Sequence, residues 1–261
     1  MSQSRPYVLA IAGFDPSAGA GVLADVKTFE QHQVYGFAIN TGNTIQTEME
    51  FFEMQWTDLD FVQKSIDKLF VNYNIKAVKI GIVPSLEYLK EIVFSIKRIS
   101  PETKIVWDTI LKSTTEFRFL NIESQTILNE ILKKIDLITP NYNEILKLTS
   151  NEIDINSIAI NLSKYCPVLL KGGHNPEEIG VDHLYLKNRF FSLAPNTNIE
   201  IIGKHGSGCV LSSAITSNLA LNQDLITACI NAKNYIENYL QSNLTKLGYH
   251  YVLQITIYLP R

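Results

Sequence analysis

Short apolar runs alternate along the chain with longer stretches of helical period. YVLAIAG is followed by VLADVKTFEQH, YGFAIN by DFVQKSIDKLF, AVKIGIV by SLEYLKEIVFSIK, KIVWD by QTILNEILKK, and DLITP by NEILKL. A short unbroken apolar run suits a buried strand, and apolar residues every three or four positions suit the inner face of a helix. Their alternation predicts βαβ units: an α/β fold with a central, mostly parallel sheet, helices on both faces and active residues at the carboxyl ends of strands. After Val168 to Lys171, the runs VDHLYL and RFFSL are separated by Lys187-Asn188, which predicts an antiparallel hairpin at a sheet edge. Two helices, one from Cys209 and one from about Asp224 to Leu240, complete the series.

No repeat, low-complexity tract or proline-rich linker interrupts this pattern, so residues 1–261 read as a single domain. The least structured long stretches are Thr41 to Thr57 and Ala194 to Gly206, both candidate site loops. The last residues, TKLGYHYVLQITIYLPR, alternate like a strand and have no evident function.

Composition narrows the class. With 46% hydrophobic residues the chain can bury a full core, and its net charge of -3, from 23 basic and 26 acidic residues spread along it, leaves no basic stripe for a nucleic acid. The partner expected is a small molecule. Cys166, Cys209 and Cys229 are an odd number without metal-type spacing, which argues against a disulfide framework or structural zinc and for a reducing cytoplasm. YVLAIAGF reads as a buried first strand, because it is short and runs into Asp15-Pro16-Ser17. No apolar segment approaches the roughly 20 residues that cross a bilayer.

Several motifs carry chemistry. In GFDPSAGAGVLADVKTF, the segment Gly19 to Ala24 matches G-x-G-x-x-A, but Asp15 to Ala18 intervene between strand and glycines, which argues against the dinucleotide-binding turn and for a glycine-rich loop around a small ligand. Asn141 and Glu144 have the spacing of a capping box; the same spacing turns two oxygen-bearing side chains toward a strand end, where they suit hydrated Mg²⁺. Asp108 ends KIVWD, facing either the ligand crevice or a solvated turn, and Lys171 ends VLLK, reaching either a phosphate or water. KHGSGCVLSSAI places two glycines and Cys209 where a turn enters a helix, a nest of amides suited to phosphate. His174 and His205 read as satisfied loop histidines, Cys166 and Cys229 as core.

Taken together, AGFDPSAGAGVLADVKTF, TPNYNEI, LLKGGH and HGSGCVLSSAI resemble, in this order and at these separations, the hydroxymethylpyrimidine/phosphomethylpyrimidine kinases of thiamine biosynthesis, which are ribokinase-like. The resemblance runs from about Tyr7 to Leu240. It implies a phosphotransferase that uses ATP and Mg²⁺ to phosphorylate the hydroxymethyl group of 4-amino-5-hydroxymethyl-2-methylpyrimidine and then the monophosphate. By position, Gly13, Asp25, Gln46, Ile82 and Ile110 would line the pyrimidine pocket, with Cys209 at the reacting hydroxyl. Asp108, Asn141 and Glu144 would organise Mg²⁺ through water, and Lys171 would meet the phosphates. The backbone of Gly206, Ser207, Gly208 and Cys209 would form the anion hole, and adenine would lie near the Ala194 to Gly206 loop and the helix carrying Lys233. A dimer is the expected assembly.

Three positions depart from the family pattern: Ala18 stands where glycine is usual, Ser207 for threonine, and Ile82 for methionine. Pyridoxal kinases share both glycine-rich segments and the cysteine and are the alternative; a non-catalytic pyrimidine-binding protein is a third reading. Gln46 favours the pyrimidine, because a primary amide pairs one donor and one acceptor with the ring nitrogen and exocyclic amine. For Cys209, a thiol of ordinary pKa about 8.5, lowered by the helix N-terminus and Lys171, is expected to be partly ionised and so available as a base; because phosphoryl transfer has a loose transition state that asks little of a base, a small residue that only touches the substrate is the alternative.

Overall fold

The structure is a computed structural model that describes residues 4–112, 117–149, 154–175, 177–187, 189–196 and 203–250. Among these residues nine strands form one sheet: β1 (Tyr7–Phe14), β2 (Tyr35–Gln46), β3 (Phe51–Trp56), β4 (Ile75–Ile80), β5 (Lys104–Trp107), β6 (Leu137–Ile138), β7 (Val168–Leu170), β8 (Asp182–Leu186) and β9 (Arg189–Leu193), in the order β3-β2-β1-β4-β5-β6-β7-β8-β9. Pairing is parallel from β2 to β7 and antiparallel at β2/β3, β7/β8 and β8/β9.

The helices are α1 (Gly21–Gln31), α2 (Leu59–Asn72), α3 (Leu86–Ile99), α4 (Gln125–Leu132), α5 (Tyr142–Ile145), α6 (Ile155–Ser163), α7 (Ser207–Ala220) and α8 (Leu225–Leu240). Side chains of a strand alternate between faces, and each face carries its own core. Leu9 and Ile11 of β1 join a cluster with Val62, Leu89, Leu128 and Ile158 from α2, α3, α4 and α6. Val8, Ala10 and Ala12 of the same strand pack with Val22 and Phe29 of α1. Further along, Val106 of β5 and Leu169 of β7 meet α7 and α8. The central strands are buried on both sides, which is why they read as unbroken apolar runs.

Two expectations change. Thr41 to Thr57 is not a loop: β2 runs to Gln46 and pairs with β3, Gly42 opposite Trp56 and Gln46 opposite Phe51, with a register shift between Ile45 and Gln46. The run NTGNTIQ lacks apolar character because the hairpin stands at the sheet edge, so both edges, not one, carry antiparallel strands. NEILKL forms only the four-residue α5, and α6, which the sequence reading did not separate, follows it. The alternating tail from 251 lies outside the described residues, as does part of the Ala194 to Gly206 loop. No helix among the described residues is long and apolar enough to cross a membrane.

From β1 the chain steps outward to β2 and β3, then returns past β1 to β4 and continues the other way. The carboxyl ends of β1 and β4 therefore flank a switch point, where an open parallel sheet leaves a crevice.

Candidate active site

A cleft of about 590 Å³ opens over this switch point. It is lined by Gly13, Gln46, Ile82, Asp108, Ile110, Asn141, Glu144, Lys171, the turn Gly206 to Cys209, and Lys233. Of the residues expected at the site, only Asp25 stands away from the wall. It is fully buried on α1, with its carboxylate taken by Lys79 Nζ at 2.9 Å to each oxygen and by Ser213 Oγ at 2.7 Å.

Lys79 itself lies directly behind the cleft wall and was missed in the sequence. Its signal was a lysine inside IKAVKI, a doubly buried strand, where an ammonium needs an acid partner. Burial disfavours its charge, but Asp25 outweighs burial and holds Lys79 protonated.

The phosphate-type turn is built by α7. Gly206 is its N-cap, at φ 71°, and a Cβ there would lie 2.0 Å from the Gly19 carbonyl oxygen, so glycine is required both by the left-handed backbone and by the close approach of the first loop. No side chain caps α7, and Gly206 to Cys209 line the cleft, with the Ser207 amide also donating to the Lys204 carbonyl at 3.3 Å. Inside α7, Thr216 Oγ1 and Ser217 Oγ return to carbonyls four residues back, at 2.8 and 2.9 Å, so a helix rich in hydroxyls is buried without orphaned groups there.

A second link joins the same two loops. Asp15, 1% exposed, accepts from the Ser17 amide and hydroxyl and the Ala20 amide, each at 2.9 Å, and its Oδ2 lies 2.9 Å from His205 Nε2. Burial opposes ionisation of Asp15, but these bonds, led by His205, hold its carboxyl below the usual range. His205 is thus a satisfied loop histidine; the side chain of His174 lies outside the described residues.

At the ends of β5, β6 and β7 a charged group assembles. Lys171 Nζ is 2.9 Å from Asp108 Oδ1 and 3.6 Å from Glu144 Oε2. Asp108, fully buried, also accepts from Thr139 Oγ1 at 3.1 Å and Ser212 Oγ at 3.3 Å. Burial works against its charge, and Lys171 and Lys79 outweigh that and hold its carboxyl below the usual range. Burial, opposed by Lys171, raises Glu144. The capping box forms: Asn141 Oδ1 accepts the amides of Asn143 and Glu144, and Glu144 Oε2 accepts the Asn141 amide at 2.8 Å. No cluster of three or more His, Cys, Asp or Glu among the described residues could hold a metal directly. Two carboxylates flanking one ammonium, with the Asn141 oxygen already engaged, fit a hydrated Mg²⁺ contacted through its water shell.

Lys233 on α8 donates to the Gly180 carbonyl and, at 2.8 Å, to Asp182 Oδ2, while Asp182 Oδ1 accepts the Gly172 amide at 2.8 Å. Asp182, also unforeseen, ties α8 to the β7 end. Gln46 Nε2 donates to Thr44 Oγ1 at 2.8 Å, and that hydroxyl donates to the Phe14 carbonyl at 2.9 Å. Because Thr44 has given its only proton away, it must accept from Gln46, which fixes the amide orientation and leaves Gln46 Oε1 and one N–H for a ligand.

Cys209 departs from expectation. It is 6% exposed, and burial pushes its thiol up to about 12 despite Lys79 and the Gly21 amide, which points at the sulfur. The thiol is protonated at neutral pH. Cys166 and Cys229 are core residues, as read.

The sequence profile of the phosphomethylpyrimidine kinase family matches residues 15–254. The chain belongs to that family. It is a ribokinase-like phosphotransferase. It is 36% identical over 253 residues to a hydroxymethylpyrimidine/phosphomethylpyrimidine kinase of Aquifex aeolicus, covering 93% of this chain and 97% of that one. The crystal structure of a phosphomethylpyrimidine kinase from Clostridium difficile superposes with a TM-score of 0.75 at 32% identity, over 90% of this chain and 99% of the other. A pyridoxal kinase of Bacillus subtilis, solved as an ADP complex, superposes with a TM-score of 0.80 over 93% of this chain and 94% of that one; at 24% identity it speaks for the fold alone.

Proposed function

We propose that the protein transfers the γ-phosphoryl group of ATP to the hydroxymethyl group of 4-amino-5-hydroxymethyl-2-methylpyrimidine, and then phosphorylates the monophosphate, in thiamine biosynthesis. The observation that carries this reading is that one cleft is lined by both the oriented amide of Gln46 and the uncapped α7 turn. The first matches an aminopyrimidine edge; the second matches a phosphoryl group. Pyridoxal, the alternative, lacks that edge.

The residues divide the work. Gln46 orients the ring. The amides of Ser207, Gly208 and Cys209 receive the phosphoryl oxygens, and Lys171, held protonated by Asp108 and Glu144, meets their charge. Phosphoryl transfer has a loose transition state with little need for early deprotonation of the nucleophile, so a neutral Cys209 serves as a contact beside the hydroxyl and not as its base. Mg²⁺, held through water by Asp108 and Glu144, would neutralise phosphate charge. Lys233, with Asp182, would flank the nucleotide.

The test is ATP consumption by the purified protein with the hydroxymethylpyrimidine, its monophosphate and pyridoxal in parallel, with Mg²⁺ or with EDTA. Turnover of both pyrimidines, lost in EDTA, is expected. Gln46→Met should lower kcat/KM for the pyrimidine by about 100-fold or more and affect pyridoxal much less. Turnover of pyridoxal alone, or equal losses on both in Gln46→Met, would refute the assignment.

A further inference from the structure

Among the described residues three lysines are buried: Lys79, Lys204 and Lys233. Lys79 is paired with Asp25 and Lys233 with Asp182. Lys204 has no carboxylate partner among the described residues. Its Nζ donates to the backbone oxygen of Asn243, to Asn243 Oδ1 at 3.0 Å, and to the backbone oxygen of Thr245. All three protons of the ammonium are thus directed at neutral oxygens. Burial lowers the pKa of Lys204.

The cage is a built structure. Asn243 Oδ1 also accepts the Thr245 amide at 2.7 Å, and Asn243 Nδ2 donates to the Leu247 carbonyl at 2.8 Å, which folds residues 243–247 into a compact turn after α8. The His205 amide donates to the Lys246 carbonyl at 2.8 Å, docking that turn against the segment leading into α7. Lys204 lines the cleft two residues before Gly206, beside the amides assigned to the phosphoryl group.

A buried cation surrounded by neutral oxygens is costly unless an anion completes it. We propose that Lys204 is a built-in monovalent cation of the phosphate end of the cleft: its ammonium fills a three-oxygen cage supplied by the turn after α8, positions the Gly206 to Cys209 turn, and is completed electrostatically by the nucleotide phosphates. The proposal rests on the ATP-dependent reading above. Lys204 is a positioning residue; with its protons engaged, it acts on phosphate through charge and through the backbone it holds.

Rings of carbonyl-type oxygens also replace the hydration shell of free K⁺, and NH₄⁺ presents the same protons as the lysine head group. Removing the side chain should therefore leave a cage that a free cation can fill. Lys204→Ala is assayed in ammonium chloride, potassium chloride and tetramethylammonium chloride at equal ionic strength, beside wild type. In tetramethylammonium, its KM for ATP should rise about tenfold, the scale of a lost interaction with a charged group, with the pyrimidine KM little changed. Ammonium or potassium should restore part of the ATP affinity and raise the melting temperature of the variant. Wild type should show neither response. Lys204→Met fills the cage without a charge; it should show the same rise in KM and no rescue.

Wild-type KM for ATP in either variant overturns the proposal. So does a Lys204→Ala protein whose KM and melting temperature both ignore ammonium and potassium. If wild type phosphorylates neither pyrimidine, the proposed function fails, while the melting experiment still decides whether the cage takes a cation. Should Lys204→Ala not fold, the ATP KM of Lys204→Met decides alone.

Discussion

Lys79 Nζ lies 2.9 Å from both carboxylate oxygens of Asp25, and neither side chain retains any exposed surface. The pair joins β4 to α1, and Lys79 lies directly behind the cleft wall. It makes the electrostatics beneath Cys209 depend on two residues far apart in sequence. Removing one partner of a buried pair strands the other charge in a medium that cannot solvate it. Lys79→Met should lose about 3–5 kcal/mol of stability, whereas Lys79→Met with Asp25→Leu should recover much of it. Urea unfolding of the two proteins decides; a double variant no more stable than the single one contradicts the account.

The state of Cys209 makes a prediction about pH. The thiol is ordinarily half-ionised near pH 9, and burial pushes it up to about 12. A plot of kcat against pH should lack a thiol limb over roughly pH 6 to 9, and Cys209→Ala should lose less than the 100-fold or more expected of a general base. An acidic limb that vanishes in Cys209→Ala would restore the thiolate base.

Stability follows from the same shift. Between about pH 9 and about 12 the unfolded thiol has lost its proton and the folded one has kept it, so the unfolded state binds fewer protons and stability falls as pH rises. Replacing Cys209 by alanine should flatten that fall by about 1 kcal/mol per pH unit. Chemical unfolding of both proteins across this range measures the difference; identical slopes would mean that the thiol ionises alike in both states.

Gly206→Ala should break the phosphate turn. Its Cβ would meet the Gly19 carbonyl oxygen at 2.0 Å and Ala20 Cα at 2.7 Å, contacts relieved only by moving the turn. Displacing several aligned donors should cost about 100-fold or more in kcat/KM for ATP. Gly203→Ala, with nothing among the described residues within 4 Å of the added carbon, is the matched control and should stay near wild type. Equal activities in the two variants would remove the turn from the mechanism.

Ala18 occupies a left-handed conformation at φ 57°, where the family pattern has glycine. An L side chain there costs about 1–2 kcal/mol, and glycine returns part of this through its greater unfolded-state entropy. Ala18→Gly should gain about 0.5–1 kcal/mol and raise the melting temperature by about 2 °C. A lower melting temperature would show that the strain is absorbed elsewhere in the loop.

Much of this protein is written locally. The alternation of apolar runs and amphipathic stretches determined the α/β sheet, because burial on both faces leaves a mark on every central strand. The β8–β9 hairpin was legible from its two short runs, and the capping box of Asn141 and Glu144 from a spacing of three, because donors and acceptors so close in sequence meet in any helix start. Asp108 and Lys171 stood out at strand ends, where either ligand or solvent could claim them, and only the family resemblance assigned them to the site. The β2–β3 hairpin was read as loop, since an edge strand has less need of apolar side chains.

What only the tertiary structure decided is who meets whom across the chain. Asp25 and Lys79 are 54 residues apart, Asp15 and His205 are 190 apart, and Lys204 finds its cage 39 residues on. Periodicity reports which side of an element is buried; it carries no information about the partner that awaits a buried charge. The Cys209 thiol shows the consequence. Sequence offered a helix start and a lysine, both favouring the thiolate, but desolvation comes from all the surrounding elements, and in this fold it outweighs them.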